Sequence, residues 1–316
     1  LSGFPHGPTG GPAALKPGTR PTFGSVVSKL HPKSDTKLPP YVSLGMEKMP
    51  HGYQRQLGLE PAFLGIGHQP FNPSSPEALA LSKGVTLDRL ADRRALLGGF
   101  DNLRRDVESA EGTFAGMDEF TTQAFEILSS ASVRDAFDVA KEPAKVRQRY
   151  GTVLSRFLQA RRLVEAGVSV VNVLAPGYWD THSNNFTTMR KLLPLLDKGI
   201  YTLITDLHER GLDKDVTVVV WGEYGRTPKV NKNAGRDHWP QATFALVAGG
   251  GFKMGQCIGA TTARGERPVG EGYIPQNLLA TLYQEVFGIN PAATLRDHRG
   301  RPINLVDKQD PIKELI

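Results

Sequence analysis

A single cysteine, Cys257, among 316 residues excludes any internal disulfide and any zinc cluster built on several thiolates. No basic residue stands nearer to it in sequence than Lys253, and no base is arranged beside it, so a small buried hydrophobe is its expected role. Long apolar runs are missing as well. None approaches the roughly 18 to 20 residues that span a bilayer, and the opening LSGFPHGPTGG lacks the basic and apolar regions of a secretory leader. The chain opens on Leu1 rather than methionine, which predicts a fragment or a processed product. Internal repeats and low-complexity tracts are also lacking. Basic residues exceed acidic ones by 38 − 32 = 6, yet they are scattered rather than gathered into a stripe, so charge alone calls for no nucleic-acid partner. A polyanion-binding surface is the weakest function this leaves open. With 39% hydrophobic and 22% charged residues, the composition is that of a soluble globular protein with one large domain, or at most two smaller ones.

Gly and Pro dominate residues 1–76, with PTGGPAALKPGTRP and HQPFNPSSP on either side of the short apolar stretch LPPYVSLG. That pattern predicts long loops around one strand, with a helix at FGSVVSKL. A helical section follows over 77–167. In TLDRLADRRALLGGFDNLRRDVES (86–109), Leu87, Leu90, Leu97 and Leu103 recur at helical spacing, and DEFTTQAFEILSS and PAKVRQRYGTVLSRFLQARRLVEAG keep the same period. At Val168 the pattern changes to an α/β core over 168–316. VSVVNVLAP and VTVVVWG are continuous apolar runs of strand length, rich in β-branched residues, as expected of strands buried on both faces of a parallel sheet. Between them MRKLLPLLDKGIYTLITDLHERGL has a helical period and Gly211 as its C-terminal stop, which completes a βαβ unit. TFALVAGGG and the helix PQNLLATLYQEVFG extend the same α/β pattern.

Ligands of open parallel sheets bind beyond the carboxyl ends of the strands, and right-handed crossovers bring successive strand ends to one edge. The loop after the first run, GYWDTHSNNF, carries Asp180, His182 and Asn185; the loop after the second, GEYGRTPKVNKNAGRDHWP, carries Glu223, Arg226, Arg236, Asp237 and His238. Carboxylates crowded together need a cation to offset their repulsion, and oxygen with imidazole donors suits a divalent transition metal such as zinc or manganese. Asp180, His182 and Glu223 are thus expected to face one another. His238 adds a second imidazole, and Asp237 is either a ligand or the partner that orients a ring. Each element also has a plainer reading: Asp180-x-His182 as a capped turn, Glu223 as a partner for Arg226, His238 as a hydrogen-bonded structural histidine. The conjunction favours a site because both loops fall at strand ends. His208 and His298 are expected to be solvated. His6, His31, His51 and His68 lie in the loop-rich section, where ligand and surface roles stay open.

GYWDTHSNNF, LLPLLDKGIYTLITDLHERGL, VVVWGEYGRTPKVNKNAGRDHWP and AGGGFKMGQCIGAT, with PTFGSVVSKL and PPYVSL near the start, together resemble the DUF1501 proteins. This large family is grouped with the alkaline phosphatase and sulfatase superfamily, and the resemblance covers essentially the whole chain. It implies a single alkaline-phosphatase-like domain, a three-layer αβα sandwich with a largely parallel central sheet. Family proteins begin earlier, with an export signal, a first strand and a Gly-Pro-Ser-x-x-Asp-type loop. The resemblance therefore implies N-terminal truncation, an exported, periplasmic protein, and a nucleophile and acidic ligand in the missing segment. It further implies hydrolysis of a small anionic phosphate or sulfate ester at a divalent metal, with zinc or manganese foremost and calcium or magnesium also compatible. Asp180, His182, Glu223 and His238 stand at its metal positions, Arg226 is the group that grips the ester, and Asn185, Asp237 and Arg236 are supporting or substrate-contacting residues. Glu223 replaces the Asp-His pair of the phosphatases, which puts a second metal in question, and a sulfatase-type modified nucleophile motif is missing. The alternative function is a non-catalytic member that keeps the fold as a metal- or ligand-binding scaffold.

Overall fold

The computed structural model describes residues 20–31, 37–45, 61–72, 89, 92, 125–127 and 129–316. The helix expected over 86–109 falls outside the described residues except at Arg89 and Asp92, and the first 19 residues, His6 among them, and His51 lie outside them entirely. The remainder mixes helix and strand and divides into two compact units, one of them made of Glu142–Arg161 and Val173–Ile316, the other of the described residues up to Lys141 with Arg162–Asn172.

In the N-proximal unit, α1 (Phe23–Leu30) starts at Thr22, whose hydroxyl accepts the Ser25 N–H, and turns Val26 and Val27 inward. Strand β1 (Tyr41–Leu44) is buried along its whole length. Gly24 is required where α1 meets it, because a Cβ there would overlap the Tyr41 ring. Phe71 extends β1 through a parallel bridge to Val42 and stacks edge-on against Phe137 of α2 (Ala131–Phe137). His68, which the sequence left open, is buried and paired with Ser28 Oγ at 3.2 Å.

In the larger unit, α3 (Ala144–Tyr150) and the first part of α4 (Ser155–Glu165) pack on α5 (Asn185–Glu209), where Gly199 admits Leu154 and Phe157. Their shared interior is ionic. Buried Arg161 contacts Glu142 at 2.7 Å and Asp206 at 2.9 Å, Tyr150 Oη donates to Asp206 at 2.9 Å, and Arg210 reaches both carboxylates. Helix α5 stops where the sequence predicts, with Gly211 at φ +69° and Leu212 N–H reaching back to the Leu207 carbonyl. After α6 (Pro275–Thr281), the chain makes a π-helical turn through Val286.

The strands depart from expectation. β2 (Val170–Val173) pairs with β1, whereas β3 (Thr217–Trp221) pairs with β6 (Ala245–Gly249), so the two runs of the predicted βαβ unit stand in separate two-stranded sheets. β3 and β6 are antiparallel, with Val219 opposite Val247. So are β4 (Gly225–Arg226) with β5 (His238–Trp239) and β7 (Thr294–Arg296) with β8 (Pro302–Asn304). Continuous apolar character did not require a parallel sheet here: β3 is only half-buried throughout, and a return through the loop after β5 pairs β6 with it without a crossover helix. Cys257 is exposed, not buried.

A candidate metal centre in two loops of the larger unit

Two loops of the larger unit are sewn together by their backbones. Asn184 N–H donates to the Asn233 carbonyl, Asn185 N–H to Ala234, and Arg236 N–H to Thr181. Asn231 is the organiser that sequence reasoning missed. Its Oδ1 accepts from the N–H groups of Asn233 and Gly235, while its Nδ2 donates to the His182 carbonyl at 3.0 Å and to both oxygens of Asp237. Gly235 must lack a side chain because a Cβ there would overlap the His182 carbonyl. The short β4–β5 ladder then sets Arg226 opposite His238.

The result brings Asp180, His182 and His238 together. Oδ1 of Asp180 lies 3.0 Å from Nε2 of His182 and 3.0 Å from Nε2 of His238, and the two nitrogens are 3.1 Å apart. Each donor is backed by another group. Asp237 Oδ1 accepts from His182 Nδ1 at 2.8 Å, and Tyr224 Oη is 2.7 Å from His238 Nδ1 and 3.2 Å from its Nε2. Tyr178 Oη reaches Asp180 Oδ2 at 3.4 Å. The side chains of Asp180, His182 and His238 remain 38%, 47% and 45% exposed, so the triangle is open to solutes.

Proton bookkeeping constrains what this triangle can hold. A carboxylate at Asp237 can only accept, so His182 Nδ1 carries the proton, and in a neutral ring its Nε2 presents a lone pair. That lone pair faces a lone pair of Asp180 Oδ1 at 3.0 Å. A proton on His238 Nε2 can satisfy one further edge. If both Nε2 atoms are protonated instead, the two N–H groups face each other at 3.1 Å. No protonation pattern therefore satisfies all three edges, whereas one cation satisfies them together.

Electrostatics agrees. Burial works against ionisation of Asp180, but its contacts with His238 and Arg226 and the positive charge of Arg226 outweigh it and hold its pKa below the ordinary carboxylate value. Asp237 is likewise lowered by its hydrogen bonds from His182 and Asn231. Tyr224 is raised by burial first and then by the Glu223 charge, with Arg226 opposing. Both acids are thus anions at neutral pH.

The other expected residues take different places. Glu223 stays outside the triangle, 64% exposed, its carboxylate 4.0 Å from Arg226 Nη2. Arg226 Nη1 sits 2.6 Å from Asp180 Oδ1 as an ion contact, but its N–H bonds are not aligned on that oxygen, and this buried nitrogen makes no aligned hydrogen bond. Its guanidinium also lies 5.8 Å from the centre of the Tyr224 ring. Arg236 is turned away, donating to the carbonyls of Thr227 and Pro228 and lying over Phe186. Asn185 accepts from the Thr181 hydroxyl at 2.6 Å and braces the loop. His208 is exposed on α5 and bonded to Asp213, and His298 is exposed. Tyr224 was passed over in the sequence because a tyrosine between Glu223 and Gly225 gives no periodic or motif signal.

Comparison with known proteins places residues 7–316 on the model of a family described as "Protein of unknown function (DUF1501)". No curated protein and no solved structure matches the chain.

Proposed function

We propose that this chain, which belongs to the DUF1501 family, is a metal-dependent hydrolase of phosphate or sulfate esters, with Asp180, His182 and His238 as the ligands and Arg226 as the grip on the anionic group. One observation carries the reading: three donor atoms converge within 3.1 Å of one another in an arrangement that no set of protons satisfies. When bound, a divalent ion would polarise the ester oxygen and offset charge gathering on the transferred group. The chain's own residues do the rest. Asp237 and Tyr224 fix the two imidazoles, Asn231 fixes Asp237, and Arg226 keeps a buried N–H without an aligned acceptor beside the ligand oxygen, ready for an anionic one. This reading includes an alkaline-phosphatase-like three-layer arrangement, which rests on the resemblance. It also includes an exported location, which rests on the resemblance alone and is checked by fractionating the producing cells.

The test is a metal analysis and an ester panel on the chain together with its Arg226→Ala variant. The variant should keep its metal but bind inorganic phosphate more weakly by about 1.5–3 kcal/mol, the worth of a hydrogen bond to a charged group. A parent chain that takes up no divalent ion after chelation and reloading refutes the reading. Metal held without turnover on any ester makes the protein a binding module instead.

A further inference from the structure

The Tyr224 hydroxyl stands against both ring nitrogens of His238, 2.7 Å from Nδ1 and 3.2 Å from Nε2, with the ring centres 4.5 Å apart. Among the described residues it makes no other hydrogen bond. The direction of its own proton is set by His238, and this step rests on the metal-site reading above. The Asp180 carboxylate, 3.0 Å from Nε2, can only accept, so in the absence of a cation that nitrogen carries the proton of the neutral ring. Nδ1 is then bare, and Tyr224 donates to it.

A cation on Nε2 takes up that nitrogen's lone pair, and the single ring proton must then sit on Nδ1. The bond to Tyr224 reverses. Nδ1–H donates, Oη accepts, and the phenolic proton no longer belongs to His238. It is released on the open side of the triangle, because Oη is 3.2 Å from the ligating nitrogen and the His238 side chain is 45% exposed. Arg226 borders the same place, with Nη1 2.6 Å from Asp180 Oδ1 and its guanidinium 5.8 Å from the centre of the Tyr224 ring. An ester whose anionic oxygens are gripped by Arg226 can thus set its bridging oxygen on the Tyr224 hydroxyl.

We infer that Tyr224 is a catalytic residue of the proposed ester hydrolysis, its hydroxyl turned from His238 to the bridging oxygen of the ester once a cation is held. In the net reaction the bond from phosphorus or sulfur to the bridging oxygen breaks, and water supplies the oxygen that replaces it. One proton of that water ends on the released alcohol. Tyr224 donates a hydrogen bond to the bridging oxygen while negative charge gathers there, and is itself unchanged over the cycle. Such a donor helps most where the departing alcohol is weakly acidic, so the substrate class narrows to esters of aliphatic alcohols and unactivated phenols.

Two measurements test this. Nitrogen NMR of the His238 ring, at a pH where the ring is neutral, should find its proton on Nε2 in the chelator-stripped chain and on Nδ1 after one equivalent of diamagnetic zinc is added. A stripped chain already protonated on Nδ1 overturns the reversal. Tyr224→Phe, which keeps the ring, is then compared with the parent on the phenyl and 4-nitrophenyl esters of whichever acid the parent hydrolyses. The variant should keep its metal and lose about 100-fold in kcat on the phenyl ester, as for one missing oxyanion donor. On the 4-nitrophenyl ester, whose leaving oxygen needs little help, the loss should be much smaller. Equal losses on both esters, no loss on either, or release of metal from the folded variant makes the hydroxyl a support for His238 alone and overturns the inference. A parent chain that takes up no metal or turns over no ester instead fails the hydrolase reading, and the inference falls with it.

Discussion

Removing the Asp237 carboxylate should weaken metal binding without touching any ligand. Its Oδ1 accepts the proton of His182 Nδ1 at 2.8 Å, and that bond leaves Nε2 bare and aimed at Asp180 and His238. In Asp237→Ala the ring can rotate and its proton can move to Nε2, where it blocks the donor. Partners of this kind set metal affinity by about 10- to 100-fold, or about 1.4–2.7 kcal/mol. Because the His182 side chain is 47% exposed and water can replace part of the lost bond, the expectation is the lower half of that range. The loop should hold its shape, since the backbone bonds of Asp237 to Thr227, N–H to Oγ1 and carbonyl from N–H, do not involve the carboxylate. Asp237→Asn keeps an acceptor but loses the charge and should fall between parent and alanine. Competition of each variant against a chromophoric chelator for manganese or zinc measures the effect, with His182→Ala as the upper limit. If folded Asp237→Ala holds metal within twofold of the parent, the tautomer argument fails and with it the case that the triangle awaits a cation.

Other substitutions test the support around the site. Gly235→Ala should cost about 1–3 kcal/mol by overpacking against the His182 carbonyl, and should lower both the melting temperature and metal occupancy. Asp206→Ala should destabilise by about 3 kcal/mol in urea unfolding. That is the lower end for a broken buried pair, because Glu142 still meets Arg161. In the β7–β8 turn, bonds from Arg301 lower Asp297 to about 2, so its contribution to stability is present above the usual carboxyl pKa and is lost as pH falls toward 2. Arg301→Ala should return the carboxyl titration, followed by NMR, toward its ordinary value.

How much of this was legible in the sequence depended on whether a signal was local. Helix α5 and its stop at Gly211, the strands β1, β2, β3 and β6, and the loops bearing Asp180, His182 and His238 could be read from period, β-branching and turn residues. Strand pairing could not, because Val218 and Val220 look the same whether the neighbouring strand runs parallel or antiparallel. Glu223 was expected among the ligands because it follows β3 directly, but the backbone turns there and its carboxylate meets Arg226. Asn231 and Tyr224 left no trace because their roles depend on partners 49 and 14 positions away.

The two loops also show why a candidate metal centre can be visible in sequence when its sheet is not. The β2–α5–β3 argument placed Asp180 and His238 together by way of a parallel crossover that the described strands do not form. They meet instead because the Asn231–Asp237 segment folds back on the His182 backbone through its own hydrogen bonds, with Gly235 giving the room. The determinant of the site therefore lies in the two loops themselves rather than in a shared sheet. A residue pattern of Asp-x-His in one loop and Asn-x-x-x-Gly-Arg-Asp-His in the other encodes the donors, the orienting carboxylate and the turn that joins them. Grafting conditions follow from this: Asn231→Ala, which leaves every ligand in place, should loosen the two loops and weaken metal binding by more than the loss of one exposed hydrogen bond, because Asn231 holds His182 and Asp237 at once.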